Sequence, residues 1–479
     1  MNGRELQASG RLGQGLVSAG VRAVGRPVSS RGLDGLVVAL LSPFLALSAG
    51  WMERALLAIV ILDIPLQFGV HLFYREDEVS SLGALGGLSI SLTTIALAGL
   101  YASRGVGIVA MRGRAHRAPH VNVPLLLYLA ITTMTIAVAR DPGLSLFEVF
   151  LLAEACLEYW YVASAIRSRE DVVFIVLVLV IACLLESAII IVMKLTVTPA
   201  TTWPDLTLHI HAEEVGKSGV MRLGGTVGSP NFAAAYLSMS LTTLASVLFT
   251  NLGLVWKSLS LVGLALGGAA LIFTLSRGGW IAFALSMTIL CLLGWRRRGL
   301  SLRSIVVITL LAALYLPFQA SIEERLLGDD KGSAESRVPL MKLAFRIIED
   351  HPVLGVGANN FSVVMGAYYG PELRHGFRFA VHNRYLLVFA ETGILGVFAF
   401  LTFLLGTLRK AWGCWAARDR LLSPLALGFG AGICGHLVHM TVEPFRGRPT
   451  QQLLWLVAGL LTAMSRLCTE ARETPGSPA

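Results

Sequence analysis

The sequence predicts an all-α integral membrane protein with about 12 transmembrane helices and a long, partly helical periplasmic loop between the ninth and tenth. Two observations support this fold class. Hydrophobic residues occupy 55% of the 479 positions, charged residues occupy only 14%, and the mean hydropathy is +0.69, which lies outside the usual range of soluble domains. Apolar runs near the roughly 20 residues that cross a bilayer also recur along most of the chain.

The transmembrane spans follow from these apolar runs in chain order. Residues 33–73 contain two short runs, 36–49 and 54–66, which we interpret as one crossing plus a re-entrant or interfacial piece. Two full crossings would add one span and place the basic N-terminal arm outside, so this part of the topology stays open. The other spans are expected near residues 87–101, 121–139, 144–165, 171–198, 230–250, 253–273, 276–295, 303–319, 383–408, 421–442 and 449–468.

Basic residues between the spans predict which side faces the cytoplasm. Three groups fall on one side by parity, and the positive-inside rule assigns that side to the cytoplasm. The groups are Arg104, Arg112, Arg114 and Arg117; Arg296, Arg297, Arg298 and Arg303; and Arg409, Lys410, Arg418 and Arg420. We therefore interpret the net charge of +9 as a topology signal and expect the lipid bilayer, with no nucleic acid, as a partner.

The chain is predicted to form one membrane domain, residues 33–470, between a basic cytoplasmic arm at 1–32 and a disordered tail at 471–479. Parity places two connections, 199–229 and 320–382, on the outer face. The second is far longer than an ordinary connection, and loops of that length are usually functional or disordered. The outer face is therefore where a functional site is expected.

Four cationic or titratable side chains are predicted to lie at the outer face, each on a separate segment: His382, Arg277, Arg337 and Arg222. Each alone has a simpler interpretation. Arginines at span boundaries are often snorkelling anchors, which fits Arg277 and Arg222. Arg337 also fits a solvated loop, and His382 fits a helix cap or a partner of a nearby carbonyl. Their combination favours a site.

Four stretches resemble the O-antigen ligase and polysaccharide polymerase superfamily, which are bacterial envelope glycosyltransferases. The stretches are "RLGGTVGSPNFAAAYL", "TLSRGGWIAF", "SRVPLMKLAFRIIEDHPVLGVGANNF" and "HNRYLLVFAETGILGVFAF". The resemblance covers about residues 220–460, and the first 200 residues match only in general hydropathy. It implies a multi-pass protein of the bacterial cytoplasmic membrane with its active site on the periplasmic face.

The resemblance also implies residue roles and substrates. His382 corresponds to the catalytic histidine and Arg277 and Arg337 to the essential arginines, with Arg222 and Arg384 as weaker candidates for binding diphosphate. The implied donor is a glycan on undecaprenyl diphosphate. The implied acceptor is lipid A core, for a ligase, or the growing glycan, for a polymerase.

The chemistry of these residue types agrees with such a reaction. Arginine binds phosphate bidentately and stays charged, so it suits a large anionic leaving group. The outer loops contain no convincing carboxylate cluster for magnesium, so we expect no metal and no cofactor. A helix N-terminus and nearby arginines would keep His382 neutral, as a general base for the acceptor hydroxyl requires. One-step displacement predicts inversion at the anomeric carbon.

Three further residues are predicted to support the site. Glu391 lies inside a span, where a carboxylate is a functional candidate by default, although pairing that holds helices together is the favoured interpretation. His439 and Glu443, with His436, fall at i, i+3 and i+7 of one helical face and could line the acceptor entrance. "HPVLGVGANNF" lacks GxGxxG spacing and predicts a turn beneath the cavity.

Metal binding is a minor alternative for two clusters. His436, His439 and Glu443 form one, and the segment "LHIHAEE", with His209 and His211, forms the other. Polar pairs between helices are commoner than membrane-embedded ligand sets. The six cysteines show no CxxC spacing and predict neither a disulfide nor a metal site.

A transporter or channel for a small solute or lipid-linked glycan is the alternative function. Glu391, His436 and Glu443 would then line a pathway through the bilayer. Transporters often contain repeated halves, and no clear repeat is seen here. The candidate residues also gather at one surface, which favours an interfacial enzyme. The sequence does not separate a ligase from a polymerase.

Overall fold

The computed structural model describes residues 50–75, 84–110, 121–196, 211–214, 220–298, 337–370 and 379–473, together with parts of 309–323. The predicted basic arm, the short run at 36–49 and residues 474–479 lie outside this range. Contacts divide the chain into two units, residues 1–53 with 101–115 and residues 54–100 with 116–479. In the smaller unit, the Ser103 hydroxyl donates a hydrogen bond to Glu53 (3.0 Å). The candidate site lies in the larger unit.

The described part of the chain is mainly helical. Its elements are α1 (Gly50–Leu66), β1 (Gly69–Leu72), β2 (Leu88–Ser91), α2 (Leu92–Ala110), α3 (Val123–Met134), α4 (Pro142–Ala165), α5 (Arg169–Thr196), β3 (His211–Glu214), β4 (Met221–Gly225), α6 (Pro230–Val247), α7 (Leu254–Phe273), α8 (Arg277–Arg298), α9 (Arg337–Asp350), α10 (Phe361–Val364), α11 (Arg384–Ala416), α12 (Leu422–His439) and α13 (Arg448–Glu473). Short 3₁₀ turns occupy Thr135–Val138, Leu316–Phe318 and Met365–Tyr368.

Six helices in the described ranges are long and apolar enough to cross a membrane. They are Arg169–Thr196, Leu254–Phe273, Arg277–Arg296, Arg384–Ala416, Leu422–His439 and Arg448–Ala471. A multi-pass membrane protein is therefore supported, and the count of about 12 stays a prediction. Helices α4 and α6 coincide with predicted spans but are more polar, because α4 carries buried glutamates and α6 is rich in serine and threonine.

The all-α prediction misses two small sheets. Strands β1 and β2 pair antiparallel with Gly69 opposite Ser91, and β3 pairs antiparallel with β4 through a bulge at His211. Asp63 near the end of α1 explains the first sheet, because its carboxylate accepts hydrogen bonds from the backbone N–H groups of Phe68 (2.9 Å) and Thr93 (3.0 Å). The chain is thereby held in a turn that leads into β1. Four-residue strands are too short to produce a clear alternating pattern.

The predicted boundary of the C-terminal tail is also wrong by one turn. Helix α13 continues to Glu473, so residues 471–473 are helical and do not belong to a disordered tail. The rest of the predicted tail lies outside the described residues.

Helix α11 is kinked at Gly393, whose φ is +65° and ψ is −171°. The turn at residues 352–357 packs into this break. Ile394 N–H donates to the carbonyl of Pro352 (2.8 Å), while Gly357 N–H donates to the carbonyl of Glu391 (3.1 Å). The turn therefore satisfies backbone groups that the kink removes from the helical ladder. The predicted turn in "HPVLGVGANNF" is present and lies against this helix.

Close packing of α6, α8 and α12 brings their ends together. Gly435 of α12 faces Ala282 of α8 so closely that a Cβ atom would clash with the Ala282 carbonyl, and a Cβ atom at Gly279 of α8 would clash with the Cβ atom of Ala234 in α6. Small residues at helix interfaces allow backbones to approach closely. The N-terminal ends of α6 and α8 and the C-terminal end of α12 consequently share one end of the bundle.

Candidate functional site

The candidate site is built where several elements begin or end. Strand β4 carries Arg222, the first turn of α6 carries Asn231, and α9 begins at Arg337. His382 immediately precedes the cap of α11, and Glu443 lies in the connection between α12 and α13. Polar side chains can gather here because helix termini leave backbone groups and space that the helix interiors do not.

Asn231 connects the arginine, serine and glutamate side chains of this site. Its Oδ1 atom accepts a hydrogen bond from Arg222 Nη2 (2.7 Å) and another from the Ser276 hydroxyl (2.8 Å). Its Nδ2 group donates to Glu443 Oε1 (2.7 Å). Arg222 Nε also donates to the carbonyl of Thr274 (3.2 Å), which fixes the direction of its guanidinium. The amide thus joins β4, α6, the residue directly before α8 and the α12–α13 connection in one network.

Glu443 places a carboxylate among the arginines. Its Oε1 lies 3.5 Å from Arg337 Nη2, and Arg222 Nη1 lies 3.5 Å from Oε2 of Glu213. Glu443 is buried, and burial raises its pKa to about 7, although Arg337 and Arg222 act in the opposite direction. The site therefore contains a carboxyl group that titrates near neutral pH beside a guanidinium.

His382 is half-buried at the entrance to α11. Burial lowers the pKa of its imidazole, the charge of Arg337 lowers it further, and the backbone carbonyl of Ala380 acts in the opposite direction. The helix cap is Asn383, whose Oδ1 accepts from the N–H groups of Tyr385 and Leu386 (3.0 Å each). His382 is therefore not the cap of α11. The other simple interpretation, a hydrogen bond with a nearby carbonyl, is present at Ala380.

Arg277 is the first residue of α8, and its two neighbours in the chain contact residues of the candidate site. Ser276 belongs to the Asn231 network, and Gly278 packs against His439, since a Cβ atom there would lie 2.7 Å from His439 Cδ2. The backbone of Arg277 is thereby held beside Asn231 and His439. The close contact explains why glycine stands at position 278.

Arg384 has a different environment from the other arginines. It is 5% exposed, its Nη2 lies 3.8 Å from Glu148 Oε1, and its Nη1 donates to the carbonyl of Pro444 (3.5 Å). Its backbone N–H donates to the carbonyl of Met440 (2.8 Å). The guanidinium is therefore buried and binds groups of the protein itself, so we do not include Arg384 among the proposed ligands of diphosphate.

Glu391 is paired inside the protein. Its carboxylate contacts the guanidinium of Arg446 and accepts a hydrogen bond from Phe361 N–H (3.1 Å). Arg446 Nη1 also donates to Asn359 Oδ1 (2.6 Å). All of these groups are buried, so the pair joins the kinked helix α11 to the 359–361 turn and to the α12–α13 connection.

His436 and His439 are buried around Phe445, with ring centroids 4.9 and 4.8 Å from that ring. Among the described residues, no three His, Cys, Asp or Glu side chains gather as metal ligands. His436, His439 and Glu443 therefore do not form the three-ligand set that their spacing allowed, because Glu443 lies past the end of α12 and interacts with Asn231 and Arg337. His209 of the second cluster lies outside the described residues.

Sequence reasoning missed Asn231, Ser276 and Arg446. Asn231 and Ser276 lie inside quoted stretches, "GSPNFAAAY" and "TLSRGG", directly before or within the first turn of a helix. The prediction selected the neighbouring arginines because they are charged. The hydrogen bonds that connect the site are instead formed by the uncharged side chains of Asn231 and Ser276. Arg446 lies in "PFRGRP", in the short connection between two predicted spans.

One comparison with known families gives a match. Residues 262–401 match the family model described as O-antigen ligase, which confirms the predicted resemblance. The matched range contains Arg277, Arg337, His382 and Glu391, whereas Arg222, His439 and Glu443 lie outside it. No curated protein matches the chain.

Proposed function

We propose that this chain, whose residues 262–401 match the O-antigen ligase family model, transfers a glycan from undecaprenyl diphosphate to an acceptor hydroxyl at the periplasmic face. The family match supports a membrane glycosyltransferase of the O-antigen ligase or polymerase type. The observation that carries the mechanism is that Arg337, whose Nη2 lies 3.5 Å from Glu443 Oε1, also lowers the pKa of His382 through its charge. It joins a cation, a neutral base and a titratable carboxyl in one site.

The arginines are proposed to bind the diphosphate. Arg337 and Arg222 face the same carboxyl-bearing network, and Arg277 begins the helix beside it. Planar guanidinium groups bind phosphate oxygens in pairs and stabilise the charge that develops on the leaving group. Glu443 balances the charge of Arg337, and a proton on Glu443 near neutral pH would free Arg337 to bind phosphate.

His382 is proposed to act as the general base. A lowered pKa keeps its imidazole neutral at neutral pH, so it can accept the proton of the acceptor hydroxyl. The acceptor oxygen forms a bond to the anomeric carbon as the bond from that carbon to the diphosphate oxygen breaks. The electron pair of that bond leaves with the diphosphate, and the anomeric centre is inverted. The proposed step uses no metal.

Reconstitution tests this function and separates the acceptors. Purified protein would be supplied with undecaprenyl-diphosphate-linked glycan, with and without lipid A core, beside the His382→Ala variant. Product on lipid A core alone would identify a ligase, and a ladder on the carrier lipid without added core would identify a polymerase. Absence of product from folded protein and a competent donor, combined with movement of the lipid-linked glycan across the bilayer, would favour the transporter.

A further inference from the structure

A cavity of about 360 Å³ opens at the end of the bundle opposite the candidate site. The candidate site uses the beginnings of α6, α8 and α11 and the end of α12, whereas this cavity lies between the ends of α8 and α11 and the beginning of α12. Its polar lining includes Arg296, Arg418 and Asp419, and its apolar lining includes Trp415 and Leu427.

A second cavity of about 210 Å³ adjoins the first and shares Trp415 and Leu427 with it. Helices α8, α11 and α12 supply its lining, which is formed almost entirely by apolar side chains such as Ile289, Leu408 and Trp412. Trp412 and Trp415 have ring centroids 4.7 Å apart and form one wall. The two cavities together have a polar end and an apolar end. An amphipathic lipid has the same two parts, since its headgroup is polar and its acyl chains are apolar.

The charge of the polar end favours an anion. The Asp419 carboxylate is already paired with the Arg169 guanidinium and accepts the N–H groups of Leu421 (2.8 Å) and Leu422 (2.7 Å) at the start of α12. Arg296 and Arg418 are exposed, and neither forms an ion pair with another residue of the described ranges. Within the described ranges, the cavity therefore presents two guanidinium groups without an ion pair and one carboxylate that is already paired.

We propose that this double cavity binds an anionic glycerophospholipid of the cytoplasmic leaflet. The phosphate lies between Arg296 and Arg418, and an acyl chain follows Trp412 and Trp415 into the apolar cavity. The positive-inside rule assigns this end to the cytoplasm, where anionic lipids bind basic pockets between transmembrane helices. Tryptophan is enriched at the membrane interface, which agrees with the position of the pair. This inference does not depend on the proposed transferase activity.

Lipid titration monitored by native mass spectrometry tests the proposal. The purified full-length chain would be titrated with dioleoyl phosphatidylglycerol, with dioleoyl phosphatidylcholine and with glycerol 3-phosphate. Tight binding is expected for phosphatidylglycerol alone, because glycerol 3-phosphate lacks the acyl chains and phosphatidylcholine lacks the net negative charge. Equal binding of the two phospholipids, or binding of glycerol 3-phosphate that competes fully with phosphatidylglycerol, would overturn it.

A matched pair of double variants checks the location. R296Q/R418Q is expected to weaken phosphatidylglycerol binding about 25-fold, at about fivefold for each basic residue near a membrane surface. R409Q/R420Q removes the same charge from the same end of the protein, at exposed positions that do not line either cavity, and should bind as the unmodified chain does. Equal loss of phosphatidylglycerol binding in both variants would show that the lipid is attracted to the basic surface in general, and it would reject the proposed site. Thermal unfolding of each variant would verify that the fold is retained.

Discussion

Arg337 and Glu443 are 106 positions apart in the chain, yet Arg337 Nη2 lies 3.5 Å from Glu443 Oε1. Glu443 also accepts a hydrogen bond from the Asn231 side chain, which in turn accepts one from Arg222. Arg337 therefore contacts the carboxyl group directly, and Arg222 is connected to it through Asn231. The protonation state of Glu443 therefore determines whether the charge of Arg337 is balanced within the site.

Arg337→Gln is expected to lower the rate of glycan transfer roughly 10²–10³-fold, the range found when one preorganised group that stabilises developing charge is removed. Arg337→Lys should recover part of the rate, because lysine keeps the charge but loses the bidentate geometry. Initial rates at saturating and limiting donor would measure both effects. Lys342→Gln is the control, since Lys342 is exposed on the same helix. An Arg337→Gln rate close to that of the unmodified chain would exclude Arg337 from the diphosphate site.

His382→Ala is expected to lower transfer by roughly 10²–10⁴-fold, the usual contribution of a general base. The pKa of His382 is lowered below its usual 6.5, so the acid limb of the kcat/KM profile should lie below pH 6.5. The profile should be recorded in the Glu443→Gln background, because Glu443 titrates near pH 7 and would otherwise overlap.

His351→Ala serves as the control for the histidine substitution, because His351 is exposed and its ring nitrogen contacts the hydroxyl of Tyr368 (3.1 Å). An acid limb centred well above pH 6.5 in Glu443→Gln would contradict a neutral His382. So would substantial transfer by folded His382→Ala protein.

Glu443 should make the stability of the protein depend on pH. Its pKa is about 7 in the folded protein and 4.5 in its ordinary state, so between these values the folded protein keeps a proton that the unfolded chain has lost. Stability contributed by this group is therefore present below pH 4.5 and lost as the pH rises to about 7, by about 3 kcal/mol in total.

Thermal unfolding of the unmodified chain and of Glu443→Gln across this pH range would measure the effect. The difference between them should change steadily from pH 4.5 to 7 and stay constant above that. A difference that is independent of pH would mean that Glu443 has an ordinary pKa.

Glu391→Gln is expected to destabilise the fold, because it removes the charge that pairs with the buried Arg446 guanidinium. Breaking one side of a buried pair typically costs about 3–5 kcal/mol. The measurement is the thermal midpoint and the fraction of monodisperse protein. A variant that unfolds as the unmodified chain does but has lost transfer would instead assign Glu391 to the reaction, against the architectural interpretation.

Gly393→Ala should disrupt the kink of α11. The residue has a φ of +65° and a ψ of −171°, a region essentially restricted to glycine that costs a residue with a Cβ atom about 1–3 kcal/mol, and that atom would clash with the carbonyl of Val353. We expect a lower thermal midpoint and lower transfer. Gly406→Ala in the same helix is the control, because nothing lies within 4 Å of its Cβ position. Equal stability of the two variants would show that the kink tolerates a side chain.

Much of the membrane architecture could be predicted because apolar length is a local property. Helices α5, α7, α8, α11, α12 and α13 lie close to predicted spans, since each depends on its own run of residues. The kink at Gly393 could not be predicted, because it depends on Val353 and its neighbours packing from 40 positions earlier. The short sheets were missed for a similar reason, since four-residue strands depend on their pairing partners.

The sequence by itself predicted a multi-pass membrane protein with a segment similar to O-antigen ligases, and it contained the arginines and the histidine to which the proposed function assigns a diphosphate and a base. Hydropathy and the stretches around Arg277, Arg337 and His382 contain that information locally. Only the tertiary structure decided that Arg337 pairs with Glu443, that Asn231 joins them to Arg222, and that Arg384 is turned inward toward Glu148. The physical reason is that charge and hydrogen-bonding capacity belong to each side chain, whereas the partner is chosen by helices that meet through packing.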